Sequence, residues 1–440
     1  MSYDPQFQQR IFEMLQSSQY WNAKQMRDFQ DQQLSQLLAF SRASVPFYRD
    51  RLANALTAQG RVNWDRWHEI PILNRDDLLN HREAMLSPKL PPGHGFVEDH
   101  MGSGTMGKPV TTRHNSLVHL VSHAALFRAF DWHHINYGKV FCHIEGDDPN
   151  FAQWPEGENH GPWGPSWDLK SAKGTAWQVN RNASPEQLSE FLGRKTVSYL
   201  SGRPNRILSV ARAAAKLVNP PQLSAILTLS ESPTQEIRGE CLDVFGADII
   251  SLYASKEVYN IAHQCSSGSH YHVNTELLYF EVLDDTDHPC AFGERGRAVI
   301  TSFFNTSQPF IRYDIGDQVV MGDKCSCGRN LPVIEKIIGR TNHLFRFPGG
   351  RVVGLTLPPK SMKFIAARSW QIAQVAALDI EVRYIPDSSD AKLDFKSIAN
   401  LVRSRTDPNV NVSFKQIKTL PLAPSGKFIE YVCELPAEGA

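Results

Sequence analysis

A glycine-rich segment in the first quarter of the chain carries residue types that suit an anion. Residues 102–109 read GSGTMGKP. Glycines let backbone N–H groups turn toward an anion without steric cost, while Ser103 and Thr105 add hydroxyl donors and Lys108 adds a positive charge. The segment differs from the P-loop of NTPases, because Pro109 follows the lysine where a magnesium-binding hydroxyl would stand. We expect a loop that grips phosphate; the alternative is a flexible surface turn.

Two acidic segments further along the chain follow apolar, strand-like stretches. Residues 253–257 read YASKE, and residues 311–317 read IRYDIGD. Because α/β folds place ligand-binding residues at the ends of strands, Glu257 is a candidate Mg²⁺ ligand beside a triphosphate. A turn aspartate in the second segment has two acceptor oxygens for ribose hydroxyls, and Arg312 could contact phosphate. The alternatives are a surface helix start and a β-turn with a capping aspartate.

A lysine near the end of the chain is a candidate for the reacting centre. Residues 420–427 read LPLAPSGK. A lone lysine in a loop is usually solvated. Delivered to an active site by a mobile domain, Lys427 would bridge a carboxylate and the α-phosphate of ATP. It would then offset the charge that develops in the transition state.

Three cysteines and one histidine form a candidate metal set. Cys265 and His270 stand five positions apart, and Cys325 and Cys327 belong to a tight C-x-C-G-R turn. Three thiolates and an imidazole make the closed tetrahedral set of structural zinc, which we therefore expect here. The alternatives are unconnected cysteines with a surface histidine, or His272 as the nitrogen ligand.

The elements that must position these residues alternate between strands and helices. Strand-like patterns occur at 139–144, 225–229, 247–253 and 298–304, and helical patterns at 23–42, 115–131, 185–192 and 206–218. This alternation predicts an α/β domain with mixed sheets. A smaller α+β unit follows, with strands at 379–384 and 410–420 and a helix at 395–405. We expect the domain boundary at about 338–342.

The composition and charge of the chain argue against nucleic-acid and membrane-surface partners. The 440 residues include 46 Lys and Arg and 46 Asp and Glu, so the formal net charge is zero. Nucleic-acid and membrane-surface partners usually need a basic excess, and we expect neither. No apolar stretch has the length of a membrane-spanning helix, and no signal-peptide pattern opens the chain. Seven cysteines spread over a long chain suit a reducing compartment, so we expect a cytoplasmic protein.

Taken in order, the segments resemble the motifs of the adenylate-forming superfamily, which includes acyl-CoA synthetases, peptide-synthetase adenylation domains and luciferases. The order is GSGTMGKP, YASKE, RYDIGD, Gly339-Arg340 and LAPSGK. Residues 33–49, 70–71 and 199–204 resemble one branch, the phenylacetate–CoA ligases and related short proteins of capsule and natural-product pathways. The resemblance covers nearly the whole chain. Some members of this branch carry a zinc set at the matching positions.

The resemblance implies a fold and a two-step reaction. A large N-terminal domain of mixed β-sheets layered with helices, residues 1–338, would bind ATP and the acid. A small mobile C-terminal α+β domain, residues 342–440, would carry the adenylation lysine. A carboxylate attacks the α-phosphorus of ATP and releases pyrophosphate, and a thiol or amine then attacks the acyl-adenylate.

The resemblance also implies residue roles. Lys427 matches the catalytic lysine of adenylation, Glu257 the Mg²⁺ ligand and Asp317 the ribose-binding aspartate. The residues expected to bind ATP or AMP are Ser103, Gly104, Thr105, Gly107, Lys108, Tyr253, Ser255, Asp317 and Arg340. Four positions depart from the pattern: Met106 in place of a second threonine, Lys256 in place of the common threonine before Glu257, Asp314 in place of a basic or polar residue, and residues 341–343 in place of an acidic hinge.

We therefore expect activation of a small carboxylic acid, aromatic if it follows the branch, and transfer to CoA. The first alternative is transfer to an amine or a carrier-protein thiol without CoA. The second is a zinc-stabilised binding protein without turnover. A homodimer is the habit of the branch.

Overall fold

The computed structural model describes most of the chain. The described residues are 4–101, 110–146, 148, 150–169, 173–229, 233, 235–340, 345–353, 355, 367–386, 394–421 and 431–435, with the backbone alone at 340, 368 and 369. They fall into two compact units. The larger lies within Met1–His100, Thr112–Ile315 and Val319–Ile337, and the smaller within Met101–Thr111, Gly316–Gln318 and Ile338–Ala440.

The helices of the described residues are α1 Pro5–Ser18, α2 Ala23–Ser44, α3 Tyr48–Arg51, α4 Arg75–Asn80, α5 Arg82–Met85, α6 Ser116–Trp132, α7 Pro185–Arg194, α8 Pro204–Ala214, α9 Gln235–Phe245 and α10 Phe395–Arg405. Local chemistry explains several of their starts. The Asn74 side chain accepts a hydrogen bond from the Asp77 N–H, and the Asp77 carboxylate accepts one from the Asn74 N–H. This reciprocal capping fixes the first turn of α4. Ser184 and Gln187 cap α7 in the same way.

The strands described up to residue 340 are β1 Val97–Met101, β2 Thr111–Asn115, β3 Phe141–Ile144, β4 Glu158–Pro162, β5 Thr175–Val179, β6 Tyr199–Gly202, β7 Ala225–Leu229, β8 Ile249–Ser255, β9 Tyr259–Gln264, β10 Tyr271–Val273, β11 Leu278–Leu283, β12 Arg295–Ser302, β13 Tyr313–Gly322 and β14 Val333–Arg340. The strands that follow are β15 Phe345–Phe347, β16 Arg351–Val353, β17 Ala367–Ala376, β18 Asp379–Pro386, β19 Asn411–Gln416 and β20 Tyr431–Cys433.

Among the described residues, twelve strands form one sheet in the order β11-β12-β13-β14-β10-β9-β8-β7-β6-β3-β5-β4. The run β5-β3-β6-β7-β8 is parallel, while β8 with β9, β9 with β10 and β10 with β14 are antiparallel. Strands β1 and β2 form a separate two-stranded sheet. In the parallel run, all carboxyl ends lie along one edge, which is the edge where such sheets bind ligands.

The parallel run is covered by helices and forms a continuous apolar core. Phe191 of α7, Ile207 of α8 and Phe245 of α9 are fully buried against Leu200 and Ile226 of the strands. Burying a side chain of this size contributes about 1.5–3 kcal/mol. The alternation of helix and strand in the sequence is thus realised as a layered α/β sheet.

The smaller unit has its own four-stranded sheet, in the order β19-β18-β17-β20. Strands β17 and β18 are antiparallel, and β18 is parallel to β19. Helix α10 packs on this sheet through Ile398 and Val402, which are buried with Ile372 and Val382. The mixed α/β character expected from the sequence is confirmed in both units. No helix in the described ranges is long and apolar enough to span a bilayer.

Candidate active site and metal site

The β8–β9 hairpin carries three of the residues expected to bind nucleotide and metal. Ser255 pairs with Tyr259 across the hairpin, which leaves Lys256, Glu257 and Val258 as its loop. Tyr259 has a left-handed φ of 56°, and the Ser255 Oγ accepts a hydrogen bond from the Val258 N–H at 3.2 Å. The alternative of a helix start at this segment is wrong, because the chain reverses here instead.

Glu257 lies at the tip of this hairpin and is only 9% exposed. Strand β8 is the last member of the parallel run, so the hairpin loop continues from the carboxyl edge of the sheet. A carboxylate that is withdrawn from water is costly unless a positive charge accompanies it. The position therefore suits a carboxylate that holds a cation, and the Tyr253 side chain, also buried, belongs to the same strand.

A cavity of about 160 Å³ opens at the same edge of the parallel run, lined by Ile144, Glu145, Arg181, Asn182, Arg203 and Arg206. The residues follow the ends of β3, β5 and β6. Arg181 and Arg203 approach one oxygen of Glu145, at 3.0 and 3.3 Å. Three guanidinium groups against one carboxylate leave the cavity positive, which suits an anionic group. The sequence analysis missed Arg181 and Arg203, because no spacing connects them with each other or with Glu145.

Arg312 does not serve phosphate, contrary to the expectation from the sequence. Its side chain is 2% exposed, its Nη2 lies 3.2 Å from the Glu281 carboxylate, and its Nη1 donates to the carbonyls of His68 and Ile70. The neighbouring Asp314 accepts from Arg297 at 2.6 Å. Both charged residues therefore stabilise the packing around β12 and β13. Asp317 is buried on β13, and its contact with ribose stays a prediction.

Part of the expected active site lies outside the described residues. This holds for residues 102–109, with Ser103, Gly104, Thr105, Gly107 and Lys108, and for Lys427. Arg340 ends β14, and its side chain is not described. The structure brings Tyr253, Ser255 and Glu257 together on one hairpin. It places Asp317 on β13, which β14, β10 and β9 separate from β8 within the sheet.

The expected metal set comes together, with one change of ligand. Cys265, His272, Cys325 and Cys327 each offer a ligand atom, and these four atoms all lie within 4.8 Å of one another. The Sγ atoms of Cys265 and Cys325 are 3.8 Å apart, and His272 Nε2 is 3.3 Å from Cys327 Sγ. His270 approaches a single thiol, with its Nε2 2.9 Å from Cys325 Sγ. The geometry thus favours His272 over the expected His270.

The surroundings of His272 orient it as a ligand. Its Nδ1 lies 3.2 Å from the Leu331 carbonyl oxygen, which directs Nε2 toward the thiols. Burial lowers the pKa of His272 to about 4, so the free ring is neutral at pH 7. The Cys327 N–H and the Ser267 N–H point at the sulfurs of Cys325 and Cys265. This donor set fits a closed zinc site.

Two known proteins are similar to this chain in sequence. No protein-family model matches the chain. Phenylacetate-coenzyme A ligase of Thermus thermophilus is 25% identical over 341 residues, which are 75% of this chain and 73% of that protein. Protein CapK of Staphylococcus aureus is 24% identical over 215 residues, 46% of this chain and 45% of that protein.

Solved structures share the fold over most of the chain. The structure of 2-hydroxyisobutyryl-CoA ligase in the postadenylation state with R3-HIB-AMP gives a TM-score of 0.71 at 17% identity, covering 95% of this chain and 93% of that one. The o-succinylbenzoate CoA synthetase of Bacillus subtilis, bound to ATP and magnesium, gives 0.52 at 13% identity, covering 76% and 68%. These likenesses confirm the fold expected from the ordered motifs.

The fold and the order of the motifs are similar to those of adenylate-forming enzymes, the class to which these CoA ligases belong. In sequence, the chain is similar to a phenylacetate–CoA ligase over three quarters of its length and to Protein CapK over about half.

Proposed function

We propose that this enzyme activates a small carboxylic acid with ATP, forms an acyl-adenylate and pyrophosphate, and transfers the acyl group to CoA with release of AMP. The observation that carries the proposal is the match, over 95% of the chain, to a CoA ligase whose structure contains an acyl-adenylate. The phenylacetate–CoA ligase of Thermus thermophilus supports the same reaction through sequence. A division of labour between residues 1–338 and 342–440 is part of this proposal; the start of the last stretch of the smaller unit at Ile338 supports that boundary, while Met101–Thr111 and Gly316–Gln318 also fall in the smaller unit.

In the first half-reaction, the chain's own residues hold the two substrates. The glycine-rich loop, through the Ser103 and Thr105 hydroxyls and Lys108, would grip the phosphates that leave as pyrophosphate. Asp317 would accept the ribose hydroxyls, and Arg340 would lie near the nucleotide. Mg²⁺ would neutralise phosphate charge, and the buried carboxylate of Glu257 fits it as a ligand.

Lys427 would act at the reacting atoms. Its ammonium group would bridge the attacking carboxylate and the α-phosphate, and it would offset the charge that develops as the new bond forms. The positive cavity beside Glu145 supports an anionic acid at the same edge of the sheet. An aromatic acid, a homodimer and a cytoplasmic location stay predictions, and an amine or carrier-protein thiol stays the alternative to CoA as acceptor.

We further propose that Cys265, His272, Cys325 and Cys327 hold a structural Zn²⁺. Four protein ligands leave no open position, so the ion would stabilise the fold and take no part in the reaction. The antiparallel pairing of β10 with β14 supports this role, because it sets His272 opposite Val333, and the turn with Cys325 and Cys327 directly precedes that strand.

A pair of lysine variants tests the proposed reaction. Lys427→Ala should reduce acid-dependent exchange of pyrophosphate into ATP by at least two orders of magnitude, since charge stabilisation in a transition state is of that size. Lys418→Ala, which changes an exposed lysine nine positions earlier, should leave exchange unchanged. Equal exchange in both variants would contradict the role of Lys427.

The acceptor is tested on the wild-type enzyme with a panel of small carboxylic acids. Acids that support exchange are incubated with ATP and either CoA or an amine, and the acylated product is measured. Thioester that forms only with CoA supports the proposed transfer. Amide formed without CoA would replace it with the amide-ligase alternative. If none of the acids in the panel supports exchange, the result would favour the alternative of a binding protein without turnover.

A further inference from the structure

A second group of metal-ligand side chains lies on strand β1 and helix α6, away from the cysteines. Glu98 and His100 belong to β1, and His119 belongs to the first turn of α6. Each offers one ligand atom, and the three atoms lie within 4.8 Å of one another. The sequence signal is weak, an alternating Glu-x-His on a strand, and no spacing connects it with His119.

The strand geometry separates this group from the ordinary ion pairs of the hairpin. Side chains alternate between the two faces of a strand, so Glu98 and His100 share a face that Asp99 does not. Asp99 binds Arg113 and Arg82, at 2.7 and 2.9 Å. The two arginines therefore pair with Asp99 on one face of β1. On the other face, the Glu98 carboxylate lies near the imidazoles of His100 and His119.

The distances within the group are too long for hydrogen bonds. Glu98 Oε2 lies 3.8 Å from His100 Nε2 and 3.8 Å from His119 Nε2, beyond the range in which an N–H binds an oxygen. Ligands bound at about 2.0–2.2 Å from one tetrahedral zinc ion lie roughly 3.3–3.6 Å apart, close to the separations of this group. A separation of 3.8 Å therefore leaves room for a cation that both atoms contact.

The neighbouring His114 has a polar partner at each of its two ring nitrogens, as expected of a histidine with a purely structural role. His114 is fully buried, and its two nitrogens lie 3.1 Å from Thr112 Oγ1 and 3.3 Å from Asn305 Nδ2. By contrast, His100 Nε2 is shielded from solvent and has no hydrogen-bond partner among the described residues. Its unused nitrogen faces the Glu98 carboxylate.

We propose that Glu98, His100 and His119 bind a divalent transition-metal cation, with Zn²⁺ as the reference ion. Two imidazoles and a carboxylate are a zinc donor set that keeps a fourth position open. Mg²⁺ prefers an all-oxygen shell, so the site is distinct from the one proposed at Glu257. The Tyr259 hydroxyl, 3.4 Å from His119 Nε2, lies beside the ligands.

The bound cation joins β1 to α6. Strand β1 leads directly into residues 102–109 in the sequence, and Tyr259 follows Glu257 by two positions. The cation would therefore hold the end of β1, which directly precedes that segment in the sequence, against α6. This inference does not depend on the acid, the acceptor or the cysteine site.

Cobalt binding tests the proposal on the full chain. Purified protein is stripped with a chelator and titrated with Co²⁺, while visible absorption and bound metal are measured. Thiolate ligands give a sulfur-to-cobalt charge-transfer band, and the Glu98 site gives ligand-field bands without it. Wild type should bind one more equivalent than Glu98→Gln or His119→Ala, and both variants should retain any charge-transfer band.

His123→Ala serves as the matched control, since it removes an exposed histidine one turn further along α6. It should bind as many equivalents as wild type. The conservative Glu98→Gln change keeps the shape of the side chain, and thermal unfolding confirms that each variant is folded. Equal stoichiometry in wild type and Glu98→Gln would overturn the proposal, as would an equal loss in His123→Ala.

Discussion

Substitution of His270 or of His272 should show which of the two is the nitrogen ligand of the cysteine site. His272 is fully buried, and its Nδ1 is anchored at the Leu331 carbonyl. His270 is partly exposed and contacts one thiol. We expect His272→Ala to release zinc and His270→Ala to retain it.

The magnitude follows from the loop that the metal closes. Cys265 and Cys325 are 60 positions apart. A cross-link that closes a loop of about 60 residues stabilises the folded state by about 4 kcal/mol in the chain-entropy model. His272→Ala should therefore lower the free energy of unfolding of the larger unit by up to about 4 kcal/mol. His270→Ala should cost about 1 kcal/mol or less, the size of one hydrogen bond.

The assay combines zinc content with urea unfolding, each with and without a chelator. Chelation should shift the unfolding midpoint of wild type and of His270→Ala down to that of His272→Ala. It should shift His272→Ala no further, because that variant has already lost the ion. Zinc retained by His272→Ala and lost by His270→Ala would refute the assignment. A chelator without effect on wild type would refute the zinc site itself.

Two further predictions concern buried charge in the larger unit. Glu276→Gln should lower the free energy of unfolding by about 3–5 kcal/mol, because it leaves the fully buried Arg128 without its anion; a urea midpoint near that of wild type would contradict this. His263→Met should make the free energy of unfolding depend less on pH below 6.5. Burial lowers the pKa of His263 to about 3, so the unfolded chain binds the extra proton below pH 6.5. The folded state then loses about 1.4 kcal/mol per pH unit as pH falls from 6.5 toward 3. Parallel curves for the two proteins, by urea unfolding from pH 7 to 5, would rule out this linkage.

The secondary structure was largely predictable, because its signals are local. Strand β7 and helix α10 have the bounds that the patterns indicated. Hydrophobic periodicity and capping depend on residues a few positions apart, so they can be read without the fold. The loop of residues 255–259 was not predictable in this way, since a short polar segment with a lysine and a glutamate suits a helix start as well as a hairpin.

The ion-pair partners of charged side chains were the feature least predictable from the sequence. Arg312 stands in a motif that suggested phosphate, yet it pairs with Glu281, 31 positions earlier, and with carbonyls near residue 70. Its left-handed φ of 49° and its burial turn it toward the protein interior. The sequence shows that an arginine is present but not which anion it meets, because that depends on strands that pair across long separations.

The sequence by itself determined the order of the motifs, and with it the resemblance to adenylate-forming enzymes, because residue types and their order along the chain carry that information. It also supplied three cysteines and two candidate histidines for one metal. Only the tertiary structure decided between the histidines, since the antiparallel pairing of β10 with β14 brings His272 to Cys327 across 55 positions. The same holds for Glu98, His100 and His119, which become neighbours only because β1 packs beside α6. Proximity across long sequence distances is set by the fold, and no local pattern records it.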